Sequence, residues 1–290
     1  MQDIQTIKVK FSECDNYSLL DSGDGMKLEN FAGVRIIRPE PKAWWKKDLP
    51  DSEWGQASAS FDTKTGKWNV KKGQERSWRM DLLGFKMELR LNDNSKHVGI
   101  FPEQDPHWSL IKVHGSKGRS LLNIFGYTGA ATLAALSSGF SVTHVDASLP
   151  SLSWAKKNLE ISGMSSFPVR WILDDAVKFV RREIRRGKKY DAIILDPPAF
   201  GRGPKGEIWK MEASIKEFLC DVSSLLSDDP LFIILTIYNI EASSLMPANI
   251  FVDIFGDLMS VDCGELAIKH KNSAKNLPMS IYNICSKKKI

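Results

Sequence analysis

Between residues 119 and 238, short apolar segments alternate with segments of helical length, and no other feature of the chain restricts its fold as much. RSLLNIF (119–125) precedes a helical stretch over about 130–138, and FSVTHVD (140–146) precedes SLPSLSWAKKNLEIS (148–162). VRWILDD then leads into a basic helical segment, YDAIILD into the turn DPPAF, and LFIILTIY (231–238) continues the series. Strands alternating with helices in this way predict βαβ units and a parallel sheet covered on both faces. In open sheets of that kind, ligands bind beyond the carboxyl ends of the strands. The residues that end these strands are therefore the first site candidates.

The flanks read differently. GDG inside LLDSGDGMKLE (19–29) and Gly66 inside ASFDTKTGKWNV (59–70) are hairpin signals, and GFKMELRL (84–91) alternates as a half-buried strand does. Six of the nine tryptophans lie before residue 110, and core packing of a small β-domain accounts for them better than base stacking does. VDCGELAIKH and PMSIYNICSK, around the polar linker KNSAKNL, predict an antiparallel strand pair closing the sheet. The expected division is a β-rich N-terminal domain over 1–97, with a possible part in substrate recognition, and an α/β domain over 98–290.

With 42% hydrophobic residues, the 290-residue chain can supply a core, and its longest apolar run, LFIILTIY, is far short of the roughly 20 residues that span a bilayer. A secretory leader is not expected from the start MQDIQTIKVK, and a reducing cytosol fits four scattered cysteines without a CxxC pair. No metal site is indicated. The net charge of +5 arises after residue 110, where Lys178, Arg181, Arg182, Arg185, Arg186 and Lys189 recur at helical spacing. A solvated helix face and a phosphate-contacting stripe both remain open for them.

Three strand ends carry acids and one carries glycines. Gly126 and Gly129 follow the first strand, where glycine allows a tight turn and close approach of backbone to a ligand, although the GxGxxG dinucleotide fingerprint is absent. Asp146 ends the second strand and can accept from both ribose hydroxyls; capping the next helix is the alternative. Asp174 and Asp175 end the third, one able to accept from an exocyclic amino group while its neighbour caps the helix at Ala176. Asp196 ends the fourth, where Pro197 and Pro198 cannot donate to the ladder and hold the acid out at the strand tip.

In this order the motifs resemble those of class I S-adenosylmethionine-dependent methyltransferases. More narrowly, NIFGYTGAAT, VDASLPSLSWAKKNL, LDDAVKFV and LDPPAF resemble the branch of large-subunit ribosomal-RNA methyltransferases that modify cytosine C5 or guanine nitrogens, whose first motif reads NxFxYTG. The resemblance covers roughly residues 98–240. It implies an α/β, Rossmann-like sheet, mostly parallel with an antiparallel pair at the C-terminal end, beside a small β-rich N-terminal domain. It also implies S-adenosylmethionine as cofactor. Asn123, Phe125, Gly126, Tyr127, Thr128 and Gly129 would hold its methionine part, and Gln104, in GIFPEQ (99–104), would lie beside it. Asp146, with Ala147 and Ser148, would take the ribose, and the Asp174–Asp175–Ala176 segment, Asp175 foremost, the adenine. Asp196 and the Pro197 carbonyl would accept from the N–H of the methyl acceptor, with Pro198, Phe200 and Asn239 on the substrate side and Phe200 offering a stacking face.

One departure bears on the chemistry. Cytosine-C5 enzymes of this branch place a cysteine nucleophile in a segment resembling TFSC, and this chain has Thr236-Ile237-Tyr238-Asn239 there. Asn239 cannot add to pyrimidine C6, so a base nitrogen is the expected target. The expected partner is RNA, ribosomal RNA first. Methylation of a protein or small molecule, and a non-catalytic RNA-binding role on the same fold, are the alternatives.

Overall fold

The computed structural model describes residues 6–115, 117–202, 208–238, 243–256 and 259–287. Its N-terminal strands are β1 (Ile7–Phe11), β2 (Tyr17–Gly23), β3 (Met26–Phe31), β4 (Val34–Pro39), β5 (Ala59–Asp62), β6 (Lys67–Val70), β7 (Ser77–Leu82) and β8 (Phe85–Arg90), with the short helix α1 (Asp51–Trp54) after β4. A 3-10 turn, Pro102–Gln104, leads into α2 (Asp105–Val113). Then follow β9 (Ser120–Ile124), α3 (Ala130–Ser137), β10 (Ser141–Asp146), α4 (Leu149–Ile161), β11 (Val169–Leu173), α5 (Ala176–Arg185) and β12 (Ala192–Leu195). The chain continues through β13 (Phe200–Arg202), β14 (Ile208–Lys210), α6 (Met211–Ser223), β15 (Phe232–Ile237), α7 (Leu245–Phe255), β16 (Ser260–Lys269) and β17 (Asn276–Ser286).

The large sheet runs β1-β16-β17-β15-β12-β9-β10-β11. Strands β9, β10, β11, β12 and β15 are mutually parallel, and β17 is antiparallel to both β15 and β16, as the alternating pattern and the C-terminal strand pair predict. Every residue of β12 and β15 is buried, which is why these strands read as unbroken apolar runs. One core contains residues of α2, α3 and the N-terminal strands, and a second joins the sheet to α5, α6 and α7. The order reverses between β9 and β12, since β10 lies on one side of β9 and β12 on the other. A crevice must open at their carboxyl ends.

The N-terminal sequence forms a five-stranded sheet, β2-β3-β4-β5-β6, and the hairpin β7–β8. Asp24 and Gly25 take positive φ at the β2–β3 turn, and Gly66 does so between β5 and β6. Phe85, Met87 and Leu89 are buried along β8. Trp54, Trp68 and Trp108 are in the cores and Trp45 and Trp78 pack against one of them, but Trp44 is 92% exposed. β1 departs from the expected division at residue 97: it pairs in parallel with β16 at the edge of the large sheet. Its alternation is too short and too exposed to show this in the sequence. Among the described residues no helix is long and apolar enough to cross a membrane.

Candidate active site

A cavity of about 650 Å³ opens at the carboxyl ends of β9, β10, β11 and β12. Asp146, Ala147 and Ser148 line it after β10; Asp174, Asp175 and Ala176 after β11; Asp196, Pro197 and Pro198 after β12. Phe125 and Tyr127 face both this cavity and a recess of about 50 Å³ behind it, lined by Gln104, Asn123, Gly126, Thr128 and Gly129. Thirteen cofactor-side positions of the sequence reading and three of its acceptor-side positions thus line the cavity or the recess, all at the ends of these four strands except Gln104, which sits in the 3-10 turn before α2. Phe200 does not line the cavity: it is 54% exposed and opens the β13–β14 hairpin. Asn239 lies outside the described residues.

The turn after β9 is strained. Phe125 and Tyr127, on either side of Gly126, have φ of 63° and 48°, a region that costs an L-residue roughly 1–2 kcal/mol. Asp146 holds it: Oδ2 accepts from the Tyr127 N–H at 2.8 Å and Oδ1 from the Ser148 N–H at 2.8 Å. A carboxylate has lone pairs beyond these two, so ribose hydroxyls can still donate to it. Burial nevertheless pushes the Asp146 carboxyl above its ordinary range. Gly126 is required by packing, because a Cβ there would sit 2.4 Å from the His144 ring. Asn123 Nδ2 donates to Thr132 Oγ1 at 3.0 Å, and Thr128 donates to the Gly99 carbonyl, tying the turn to the segment before α2.

After β11 the two acids divide their tasks. Asp175 caps α5, accepting from the Lys178 N–H at 3.0 Å, while Asp174 is ion-paired with Arg182. Three more of these basic residues are engaged within the chain: Arg181 pairs with Glu217 and Asp221 of α6, Arg186 with Glu183, and Lys189 donates to the Ser224 carbonyl. These bonds fit the solvated, ion-paired reading of that face.

Asp196 is half-buried, and burial together with the charge of Glu103 pushes its carboxyl up to about 8. Its Oδ2 accepts from Gln104 Nε2 at 3.1 Å, and the same nitrogen donates to Tyr238 Oη at 3.1 Å. Gln104 Oε1 is taken by His107 Nδ1 at 2.8 Å and by Thr236 Oγ1 at 3.4 Å. The resemblance makes Gln104 a neighbour of the cofactor, yet its amide is engaged by the protein on every side. An aromatic wall completes the cavity: Phe101 packs on Tyr127 at 5.7 Å, on Tyr238 at 5.4 Å and on His97 at 5.0 Å between centroids. Opposite, Trp209 Nε1 donates to the Pro198 carbonyl at 2.7 Å and fixes the turn after Asp196. Phe101 and Glu103 lie in the GIFPEQ segment and Tyr238 in the Thr236–Asn239 segment that the sequence singled out, without a role of their own, whereas His97, His107 and Trp209 carry no sequence signal and only tertiary folding brings them here.

A family model described as Conserved hypothetical protein 95 matches residues 107–206. The chain is 29% identical over 200 residues to ribosomal RNA large subunit methyltransferase I of Pseudoalteromonas translucida, covering 68% of this chain and 48% of that protein. It is 30% identical over 220 residues to ribosomal RNA large subunit methyltransferase K of Neisseria meningitidis serogroup B, covering 71% and 61%. The chain spans about half or less of the length of the first curated relatives it matches. The crystal structure of the SAM-dependent methyltransferase from Agrobacterium tumefaciens superposes with a TM-score of 0.93 at 37% identity, over 99% of this chain and 95% of that one.

Proposed function

Because the chain belongs to the S-adenosylmethionine-dependent methyltransferases, we propose that it methylates a base nitrogen of RNA, with ribosomal RNA the first candidate. The observation that carries this reading is the placement of Asp196 across one cavity from Asp146 and the Asp174–Asp175 pair. The cofactor supplies an electrophilic methyl group on a sulfonium. The residues fit it: Asp146 for the ribose hydroxyls, Asp175 beside Ala176 and Val177 for the adenine, and the Phe125–Gly129 turn for the methionine end. Asp196 would accept the N–H of the methyl acceptor, aim the nitrogen lone pair, and take the proton as the N–C bond forms. A carboxyl held near 8 is well matched to that task around neutral pH. Among the described residues no cysteine lines the cavity, which fits nitrogen rather than pyrimidine C5 as target.

RNA as substrate class is supported by the names of the relatives, which are ribosomal RNA methyltransferases. Internal pairing of the basic helix favours the second reading, a protein or small-molecule acceptor, because it withdraws those cations from phosphate. Transfer of labelled methyl to RNA from cells lacking the protein, followed by nucleoside analysis, decides between them. An N-methylated nucleoside is expected; label entering only protein or small molecules would refute the RNA reading. Asp196→Ala should abolish transfer with cofactor affinity nearly unchanged. Asp146→Ala should weaken cofactor binding by roughly 10- to 100-fold, the worth of hydrogen bonds to a charged acceptor.

A further inference from the structure

Gln104 has two amide hydrogens, and both point at oxygens of the cavity wall, one at Asp196 Oδ2 and one at Tyr238 Oη. What fixes this orientation lies behind it. His107 is buried and held neutral, its pKa pushed down to about 3 by burial, and its Nδ1 lies 2.8 Å from Gln104 Oε1; with the ring hydrogen on Nδ1 it donates to that oxygen, and a turned amide would then place its own N–H against the donor. With Asp196 ionised, a turned amide would also set its carbonyl oxygen against that carboxylate. Asp196 and Tyr238 are therefore braced by one planar group, 92 and 134 residues from Gln104 in sequence.

The consequence for Tyr238 is directional. Its Oη accepts from Gln104, so its own hydrogen is left to donate elsewhere. Burial pushes the phenol well above its ordinary range, which keeps that hydrogen in place, and Phe101 packs on the ring at 5.4 Å.

We propose that Tyr238 is a specificity-determining residue: Asp196 and Tyr238, braced by Gln104, form an acceptor–donor pair that reads a methyl acceptor presenting an N–H beside a hydrogen-bond acceptor atom, the pattern on a nucleobase edge. Gln104 is the positioning residue of this pair, acting on the acceptor through Asp196 and Tyr238. The assignment rests on the methyl-transfer reading above and adds which feature of the acceptor is recognised.

Tyr238→Phe keeps the ring and removes the hydroxyl alone. Its kcat/KM for the methyl acceptor should fall about tenfold, the factor one neutral hydrogen bond carries, with affinity for S-adenosylhomocysteine within about twofold of the wild type. Combining Tyr238→Phe with Gln104→Leu should cost no more than Gln104→Leu alone, because an unbraced hydroxyl no longer reads the edge. Unchanged kcat/KM in Tyr238→Phe overturns the proposal, as does an equal loss of S-adenosylhomocysteine affinity, which would assign the hydroxyl to the cofactor. A wild type that methylates a protein or small molecule would refute RNA as substrate, and the same Tyr238→Phe comparison on that acceptor would still decide the role of Tyr238.

Discussion

Glu103 is a buried carboxyl that acts on the site through Asp196. It is 1% exposed, its Oε1 has no hydrogen-bond partner, and burial raises its carboxyl while Lys27 and Arg38 oppose the rise. Its charge is the second cause, after burial, of the raised Asp196 carboxyl. If ionised Asp196 accepts the proton, kcat/KM should rise with pH up to about 8 in the wild type. Glu103→Gln removes a like charge, so Asp196 should ionise more readily and the rise should move to lower pH, read from rate profiles between about pH 5 and 9. An unmoved profile would separate the two carboxyls. The same region shows what a sequence can and cannot disclose. Asp196 was legible because two prolines mark it as a strand end; Glu103 and Tyr238 lay in segments the motifs singled out but received no role, and His107 carried no signal, because no spacing rule links residues so far apart. Gln104 was legible as a position, whereas its hydrogen bonds depend on side chains from α2 and β15.

At the scale of elements, α5 shows how a strong pattern supports two functions until its partners are known. The amphipathic spacing predicted the helix correctly, and the acids of α6 that meet Arg181, Glu217 and Asp221, lie 36 and 40 residues downstream. Arg181→Ala should leave both RNA affinity and its salt dependence unchanged, as measured by filter binding at graded salt, since an engaged guanidinium releases no counterion from phosphate. A shallower salt slope would return the helix to the RNA-binding surface. Asp175 has a local duty as well as its place in the cavity: Asp175→Ala removes the N-cap and should cost about 1 kcal/mol, lowering Tm by roughly 2–4 °C for a chain of this size. Cofactor binding should then recover part of that loss less well than in the wild type, because the same side chain lines the cavity.

Across the whole molecule, the two ends of the described chain are joined. β1 completes the large sheet against β16, Lys271 N donates to the Leu19 carbonyl at 2.8 Å, Lys275 pairs with Asp48 at 2.6 Å, and Lys42 donates to the Met279 carbonyl. A boundary at residue 97 follows the change of sequence pattern, yet these bonds fasten the N-terminal strands to the C-terminal hairpin far along the chain. The β16 side of the contact depends on Gly264, where an added Cβ would stand 1.7 Å from the Lys8 carbonyl oxygen. Gly264→Ala must therefore push β1 away from the sheet, at a cost of about 1–3 kcal/mol, typical of overpacking. Amide hydrogen exchange at residues 7–11 should lose protection, and the uncovered edge of β16 should make the variant more prone to association at high concentration. The cavity lies at the ends of β12, β9, β10 and β11, with Tyr238 after β15 at its rim and β17 between β15 and β16, so kcat should stay close to that of the wild type. Full protection at residues 7–11 in the variant would mean that the strand pair tolerates the methyl group. A matching fall in kcat would mean that the far edge of the sheet is coupled to Asp196.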